Sequence, residues 1–226
     1  MSQELVITPI AAIRTEFSSK FGIPRQAGLA EDLRGTVVFE PAFRVDEALR
    51  GLEGFSHIWL IWGFSENREH DWTPTVRPPR LGGNVRMGVF ATRSPFRPNG
   101  LGLSCVRLIG MQKEDGLGTT LTVAGADLMD GTPIYDIKPY IAYADSFPDA
   151  ACGFAAEAPG KKLEVVIPRE VALSARQRQL LTEVLALDPR PAYQDKAEKE
   201  YGMPFEGGEL RFRVENGVLT VIKYSV

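Results

Sequence analysis

Histidine is almost missing from these 226 residues. The two that occur, His57 and His70, stand apart, one inside an apolar run and one in the charged segment NREHDW. No HxH, HExxH or CxxC occurs, so the usual ligand spacings of a catalytic or structural metal are lacking. Cysteine is as scarce. Cys105 and Cys152 form neither a disulfide framework nor a zinc pattern, and they fit a cytoplasmic chain with reduced thiols. No run approaches the roughly 20 apolar residues that span a bilayer. The start, MSQELVITPIAAIRTEF, lacks the basic lead and cleavage site of a signal peptide. There is no GxSxG, which argues against a Ser-His-Asp hydrolase. A Walker P-loop and a post-strand G-x-G-x-x-G are missing too, which removes two common phosphate-binding designs.

Acidic side chains are lacking from one long stretch. Trp72 to Lys113 holds no Asp or Glu, yet contains Arg77, Arg80, Arg86, Arg93, Arg97, Arg107 and Lys113. The whole chain has a net charge of -3, so this stretch reverses the sign locally. Gly, Pro and Asn crowd Val76 to Ser104, which argues for shaped loops. Arginine suits planar, bidentate contact with phosphate. The stretch therefore reads as a site for an anionic partner, although a solvated basic loop would look the same.

Hydrophobic residues at 44% and charged residues at 24% are ordinary for a globular chain and exclude global disorder. Short strands are expected at Leu5 to Ile13, Gly35 to Phe39, Val85 to Ala91, Ser104 to Ile109, Thr119 to Ala126 and from Ile134 towards Tyr143. Asp46 to Leu52 reads as a helical turn. The run FSHIWLIWGF, Phe55 to Phe64, reads as a strand buried on both faces. Many short strands joined by Gly/Pro turns indicate a β-barrel or sandwich, to about residue 150. An Ala/Gly/Pro-rich linker, Ala150 to Lys162, follows. A short strand is expected at Val165 to Ile167. Ser174 is placed to cap a helix running to about Leu187, which DPRPAY stops. Two strands, Glu209 to Val214 and Val218 to Tyr224, flank Asn216-Gly217, a strong hairpin signal.

Carboxylates gather after the basic stretch. Asp127 and Asp130 flank Leu128 and Met129, and in YDIKPY strand alternation sets Asp136 and Lys138 on one face. Turn chemistry explains the first pair and a surface ion pair the second. A basic wall beside an acidic corner would also suit an anionic polymer together with a cationic small molecule.

Taken in order, KFGIPRQAGL, GLEGFSHIWLIW, VRPPRLGGN, GVFATRSPFRPN, GLGLS, DLMDGTP, DIKPYIAYADS and DPRPAY resemble the TsaA/TrmO family. The resemblance runs from about Pro9 to about Tyr193. It implies an S-adenosylmethionine-dependent tRNA methyltransferase acting on the exocyclic amine of adenine-37, already modified to threonylcarbamoyladenosine. It implies a mainly β fold, a closed or partly open β-barrel catalytic domain (1–154) with a small α+β C-terminal domain (155–226), in a homodimer. It implies cofactor contacts at Pro24, Arg25 and Gln26, at Ser65 and Glu66, at Arg93, at Leu103, and at Asp127, Leu128, Met129 and Asp130. Family members often carry His where this chain has Ser65. We expect Arg77, Arg80 and Arg97 to meet RNA phosphates of the anticodon loop. Arg190 and Tyr193 are expected on the substrate side, and Asp136 as proton acceptor with Lys138 tuning it. No metal or membrane partner is expected. The competing readings are a non-catalytic RNA-binding barrel and a small-molecule methyltransferase on the same fold.

Overall fold

The computed structural model describes residues 5–67, 71–157, 163–190 and 199–226. Its strands, in chain order, are β1 (Ala11–Arg14), β2 (Arg34–Phe39), β3 (His57–Gly63), β4 (Thr75–Val76), β5 (Met87–Gly88), β6 (Leu101–Glu114), β7 (Gly118–Ala124), β8 (Pro133–Pro139), β9 (Glu164–Val166), β10 (Tyr201–Phe205), β11 (Gly208–Glu215) and β12 (Val218–Ser225). The α-helices are α1 (Ala142–Asp145) and α2 (Ala175–Leu185).

Six strands close into a barrel in the order β1-β2-β7-β6-β3-β8, each neighbour antiparallel, and β8 returns to β1 through Ala11 opposite Ile134. Alternation sends every second side chain inward. Ile13, Val37, Ile58, Leu60, Val106, Leu121, Val123 and Ile134 fill the interior. Each such aliphatic side chain contributes about 1.5–3 kcal/mol by leaving water.

Three expectations need correction. β3 is not buried on both faces: Ile58, Leu60 and Trp62 point in, while His57, Trp59 and Ile61 are half-buried outside. An antiparallel barrel gives its strands one inner face only, and the outer one here is partly covered. The Trp59 indole donates to Asp145 Oδ2 at 3.0 Å and packs against Tyr140. The first strand starts at Ala11, not Leu5, and Leu5 and Val6 stand exposed. Pro9 has no amide hydrogen for a ladder, and pairing with β2 begins only at Ala11 opposite Phe39. Val85 to Ala91 is a strand only at β5, a two-residue pairing with β4. The chain then turns over Val89–Ala91, where the Arg97 guanidinium takes the carbonyls of Val89 and Thr92 at 3.2 and 2.7 Å.

The second sheet has the order β10-β11-β12-β9, with β9 parallel to β12 and the rest antiparallel. Asn216 and Gly217 both adopt positive φ in the β11–β12 turn, as the hairpin signal requires. Ser174 caps α2: its Oγ accepts from the Gln177 amide, and Gln177 Oε1 accepts from the Ser174 amide at 2.8 Å. Leu180, Leu181, Val184 and Leu185 of α2 share a core with Met203, Phe205, Leu210, Phe212, Leu219 and Val221. Phe17, Ala30 and Leu33, from the segment between β1 and β2, belong to this core and not to the barrel's.

Candidate active site

The antiparallel order places the ends of β1, β3 and β7 and the starts of β6 and β8 at one end of the barrel. A cleft of about 310 Å³ opens there. The loop after β1 supplies Lys20, Ile23, Pro24 and Arg25 to its wall; β3 and its exit supply Trp62, Phe64, Ser65 and Glu66; the corner after β7 supplies Asp127, Leu128 and Met129. The volume suits a small molecule. A depression of about 360 Å³ elsewhere on the barrel is lined by Asp46, Glu47, Arg50 and Glu53, among others. Its Asp46 is already paired with Lys113 at 3.0 Å and with Thr119.

Backbone contacts hold the cleft walls together. The Gly28 amide donates to Gly125 O at 2.8 Å. Gly125 has φ +76°, and a Cβ on it would come within 3.2 Å of Gly28 Cα, so only glycine allows this approach. The corner is pinned from β1: the Thr15 amide donates to Asp130 Oδ1 at 3.0 Å and Thr15 Oγ1 to Leu128 O at 3.3 Å. Thr132 Oγ1 closes the turn on Met129 O at 2.7 Å.

Of the residues expected to bind cofactor, Pro24, Arg25, Ser65, Glu66, Asp127, Leu128 and Met129 all line the cleft. Gln26 accepts from Arg93, which ties the PRQ loop to the basic stretch. The Asp130 side chain turns to the Thr15 amide and is absent from the lining. Leu103 lies on the outer face of β6, 55% exposed, opposite Ile61. Asp136 also lies opposite Ile61, on its other side, and pairs with Lys138 at 2.9 Å as an exposed ion pair. Neither Asp136 nor Lys138 lines the cleft of its own chain. Arg77 and Arg80 are exposed. Arg97 is occupied by the Val89–Thr92 turn and lies over the Phe90 ring at 5.7 Å. Arg190 is bound bidentately by Asp188, at 2.8 and 2.9 Å, with its side chain 12% exposed. The Arg190 carbonyl accepts from Arg25 at 3.2 Å, so this pair braces a cleft residue. Tyr193 lies outside the described residues.

Charge in the cleft is held against burial. Burial pushes the Asp127 carboxyl up, opposed by the Ser104 hydroxyl, by the amides of Asp127 and Ala27, and by the charge of Arg93. Burial raises Asp188 too, but the bonds and charge of Arg190, helped by the charge of Arg25, hold it below the ordinary carboxylate value. The sequence reading missed Trp62, Ser104, Lys20 and Phe64. Ser104 carried no local signal, because β6 also holds Arg107, Gln112 and Lys113 and the hydroxyl matters only through Trp62 and Asp127.

The residues fit S-adenosylmethionine. Ile23, Trp62, Phe64, Leu128 and Met129 offer apolar wall to a purine and a methylene chain. Glu66 and Asp127 offer acceptors to an ammonium and a ribose diol, and Arg25 and Arg93 offer cations to a carboxylate.

Comparison with known proteins points the same way. The model of the tRNA-methyltransferase O N-terminal domain matches residues 12–146, and that of the TrmO C-terminal domain matches 161–225. The tRNA (adenine(37)-N6)-methyltransferase of Escherichia coli (strain K12) is 44% identical over 217 residues, 91% of each chain. The enzyme of the same name from Eikenella corrodens is 49% identical over 170 residues, 74% of this chain and 95% of that protein. The crystal structure of TrmO from Pseudomonas aeruginosa superposes with a TM-score of 0.82 at 34% identity and covers 99% of each chain. With both of its domain models matched in order, and with that architecture shared from end to end, the chain belongs to the tRNA-methyltransferase O family.

Proposed function

We propose that this protein transfers a methyl group from S-adenosylmethionine to the exocyclic N6 of adenosine 37 in tRNA. One observation carries the reading. Three segments far apart in sequence converge on a cleft bearing both signs of charge, and Arg93–Gln26 joins that cleft to a stretch without acidic residues.

Bound in the cleft, the cofactor supplies an electrophilic methyl on a sulfonium. The chain's own residues do the rest. Glu66 and Asp127 take the ligand's ammonium and hydroxyls, Arg25 and Arg93 its carboxylate, and the apolar wall excludes water. The exocyclic amine is a weak nucleophile because its lone pair is delocalised into the ring. Alignment of the reacting atoms must therefore supply much of the rate, and such positioning is worth ~7–11 kcal/mol. Arg77 and Arg80 take phosphates of the anticodon loop. The cations at the cleft also receive the carboxylate of a threonylcarbamoyl group on the target base. Arg190 serves the substrate side by bracing Arg25. The proposed transfer uses no metal, and the proposed location is the cytoplasm.

The proposed division of labour gives residues 1–154 the cofactor and residues 155–226 part of the tRNA side. A homodimer is proposed through the outer face of β8, β3 and β6, where Leu101 and Leu103 are exposed beside Trp59 and Ile61. Asp136 and Lys138 stand on that face, so their proposed role as proton acceptor and tuner belongs to the dimer. An Asp136→Asn protein with undiminished turnover removes it.

Nucleoside mass spectrometry tests the whole reading. The protein is incubated with methyl-labelled S-adenosylmethionine and tRNA with or without threonylcarbamoyladenosine. Label on the modified adenosine alone is the expected result. Label on both tRNAs keeps the enzyme but removes the role given to the added carboxylate. No label on either, with cofactor binding intact, refutes the tRNA reading in favour of a small-molecule substrate.

A further inference from the structure

The deepest polar contacts of the cleft run through a side chain that meets no open space. Ser104 is 2% exposed within β6. Alternation turns Ser104 and Val106 inward and leaves Leu103 and Cys105 on the outer side. Behind Ser104 stands Trp62, whose Nε1–H donates to Ser104 Oγ at 3.0 Å. Ser104 Oγ donates onward to Asp127 Oδ1 at 2.5 Å. The direction of this chain is fixed by chemistry. An indole nitrogen only donates and a carboxylate only accepts, so the single hydroxyl proton of Ser104 goes to Asp127. Donors aligned in one direction polarise one another. The charged form of this carboxylate is also favoured by its own amide and by the amide of Ala27. Beside it the Gly28 amide donates to Gly125 O at 2.8 Å, which ties the loop that carries Pro24 and Arg25 to the corner after β7.

We propose that Ser104 is a positioning residue: backed by Trp62, it holds the Asp127 carboxylate at the corner to which Gly28 ties the preceding loop, and so steadies the Pro24–Ala27 wall of the cleft against the ligand. Only the last clause rests on the cofactor reading above. A buried serine serving as filler would need neither the Trp62 donor nor the short contact to Asp127. The other charged groups around this carboxylate are Arg93 from the basic stretch, Lys20 and Arg25 from the loop after β1, and Glu66 after β3. None of them can replace a hydroxyl inside the barrel.

The test uses the full chain without ligand, followed by NMR across pH at the Trp62 indole N–H and the Ala27 amide. In the wild type both signals report one ionisation, that of Asp127. In Ser104→Ala the lost donor moves its midpoint up, because the charged form loses a partner, and the Ala27 amide exchanges faster with solvent. Ser104→Thr keeps the hydroxyl and restores both. Ser104→Cys keeps the volume with a weak donor and behaves as Ser104→Ala, which covers a failure of the alanine protein to fold. Calorimetry with S-adenosylhomocysteine gives the second readout: affinity falls about tenfold in Ser104→Ala and recovers in Ser104→Thr. An unmoved midpoint and an unmoved Ala27 amide in the Ala and Cys proteins overturn the proposal. If the wild type binds no S-adenosylhomocysteine while the NMR behaves as described, Ser104 keeps its role and the cofactor reading falls instead.

Discussion

Gly102→Ala tests how tightly the cleft is built. Gly102 precedes Leu103 and Ser104 in β6 and stands opposite Trp62 in β3. A Cβ on Gly102 would sit 2.3 Å from Trp62 Cε2, 2.4 Å from Cζ2 and 2.7 Å from Cδ2. These are atoms of a rigid ring, not the end of a flexible chain. The ring is 9% exposed and packs edge-on against Phe64 with centroids 4.5 Å apart. It therefore has to rotate or carry the strand with it. Over-packing of this kind costs about 1–3 kcal/mol. Losing the Trp62–Ser104 hydrogen bond adds about 1 kcal/mol. At this chain length each kcal/mol lowers Tm by about 2–4 °C. The expected fall is thus about 4–16 °C in a thermal melt followed by circular dichroism, with a changed near-ultraviolet aromatic band. S-adenosylhomocysteine should also bind more weakly, since Trp62 is part of the cleft wall. An unchanged Tm with an unchanged aromatic band would refute the reasoning and show that the indole has room the structure does not display.

Other outcomes follow from the same geometry. Replacing Arg77 or Arg80 by Ala should lower the salt slope of tRNA binding by about one unit each with little change in stability, by filter binding at several salt concentrations. Arg97→Ala should instead cost about 2 kcal/mol of stability, because Arg97 holds the Val89 and Thr92 carbonyls. Leu103→Asp should shift the protein towards monomer in sedimentation without unfolding it. Burial raises the Glu16 carboxyl above its ordinary 4.5, against its own backbone amide and Arg176, and among the described residues its Oε2 has no hydrogen-bond partner. The folded state therefore binds this proton more readily than the unfolded one. Its contribution to stability grows as pH falls through the raised value, is complete below 4.5, and is lost again as pH rises. Glu16→Gln should flatten the Tm profile just above 4.5 and raise Tm at neutral pH; an unaltered profile would count against it.

Local signals proved legible where one residue type settles one backbone choice. Asn216-Gly217 specified its hairpin and Ser174 its helix start, each within a few residues. β10 was missed because YGMPF contains a glycine and a proline, both of which argue against a strand; Pro204 is tolerated because β10 is an edge. Apolar character misled at Leu5 and Val6, where no partner strand exists, and at β3, where an unbroken apolar run hid a one-sided strand. In the site, the PRQ loop and the DLMD corner were readable through the family likeness. Local pattern could not have brought them together, since Ala27 and Asp127 meet only once the barrel closes. Ser104 was invisible for the same reason: its meaning depends on Trp62 and Asp127, both distant in sequence. At Arg97 the sequence carries the charge but not the Val89 and Thr92 carbonyls that one of its guanidinium nitrogens meets.

The packing of Phe17, Ala30 and Leu33 against the last three strands has a temporal consequence. These residues bracket the Pro24–Ala27 loop, and their neighbours Phe205, Phe212 and Val221 are made after all six barrel strands. A nascent chain can pair all six barrel strands once β8 has emerged, and Gly28–Gly125 and Gln26–Arg93 can then tie the loop to them, yet the apolar side chains on either side of that loop lack their partners until β12 is out. The cleft wall is therefore fully packed only after β12 has emerged, and a chain cut before β12 should bind its ligand more weakly.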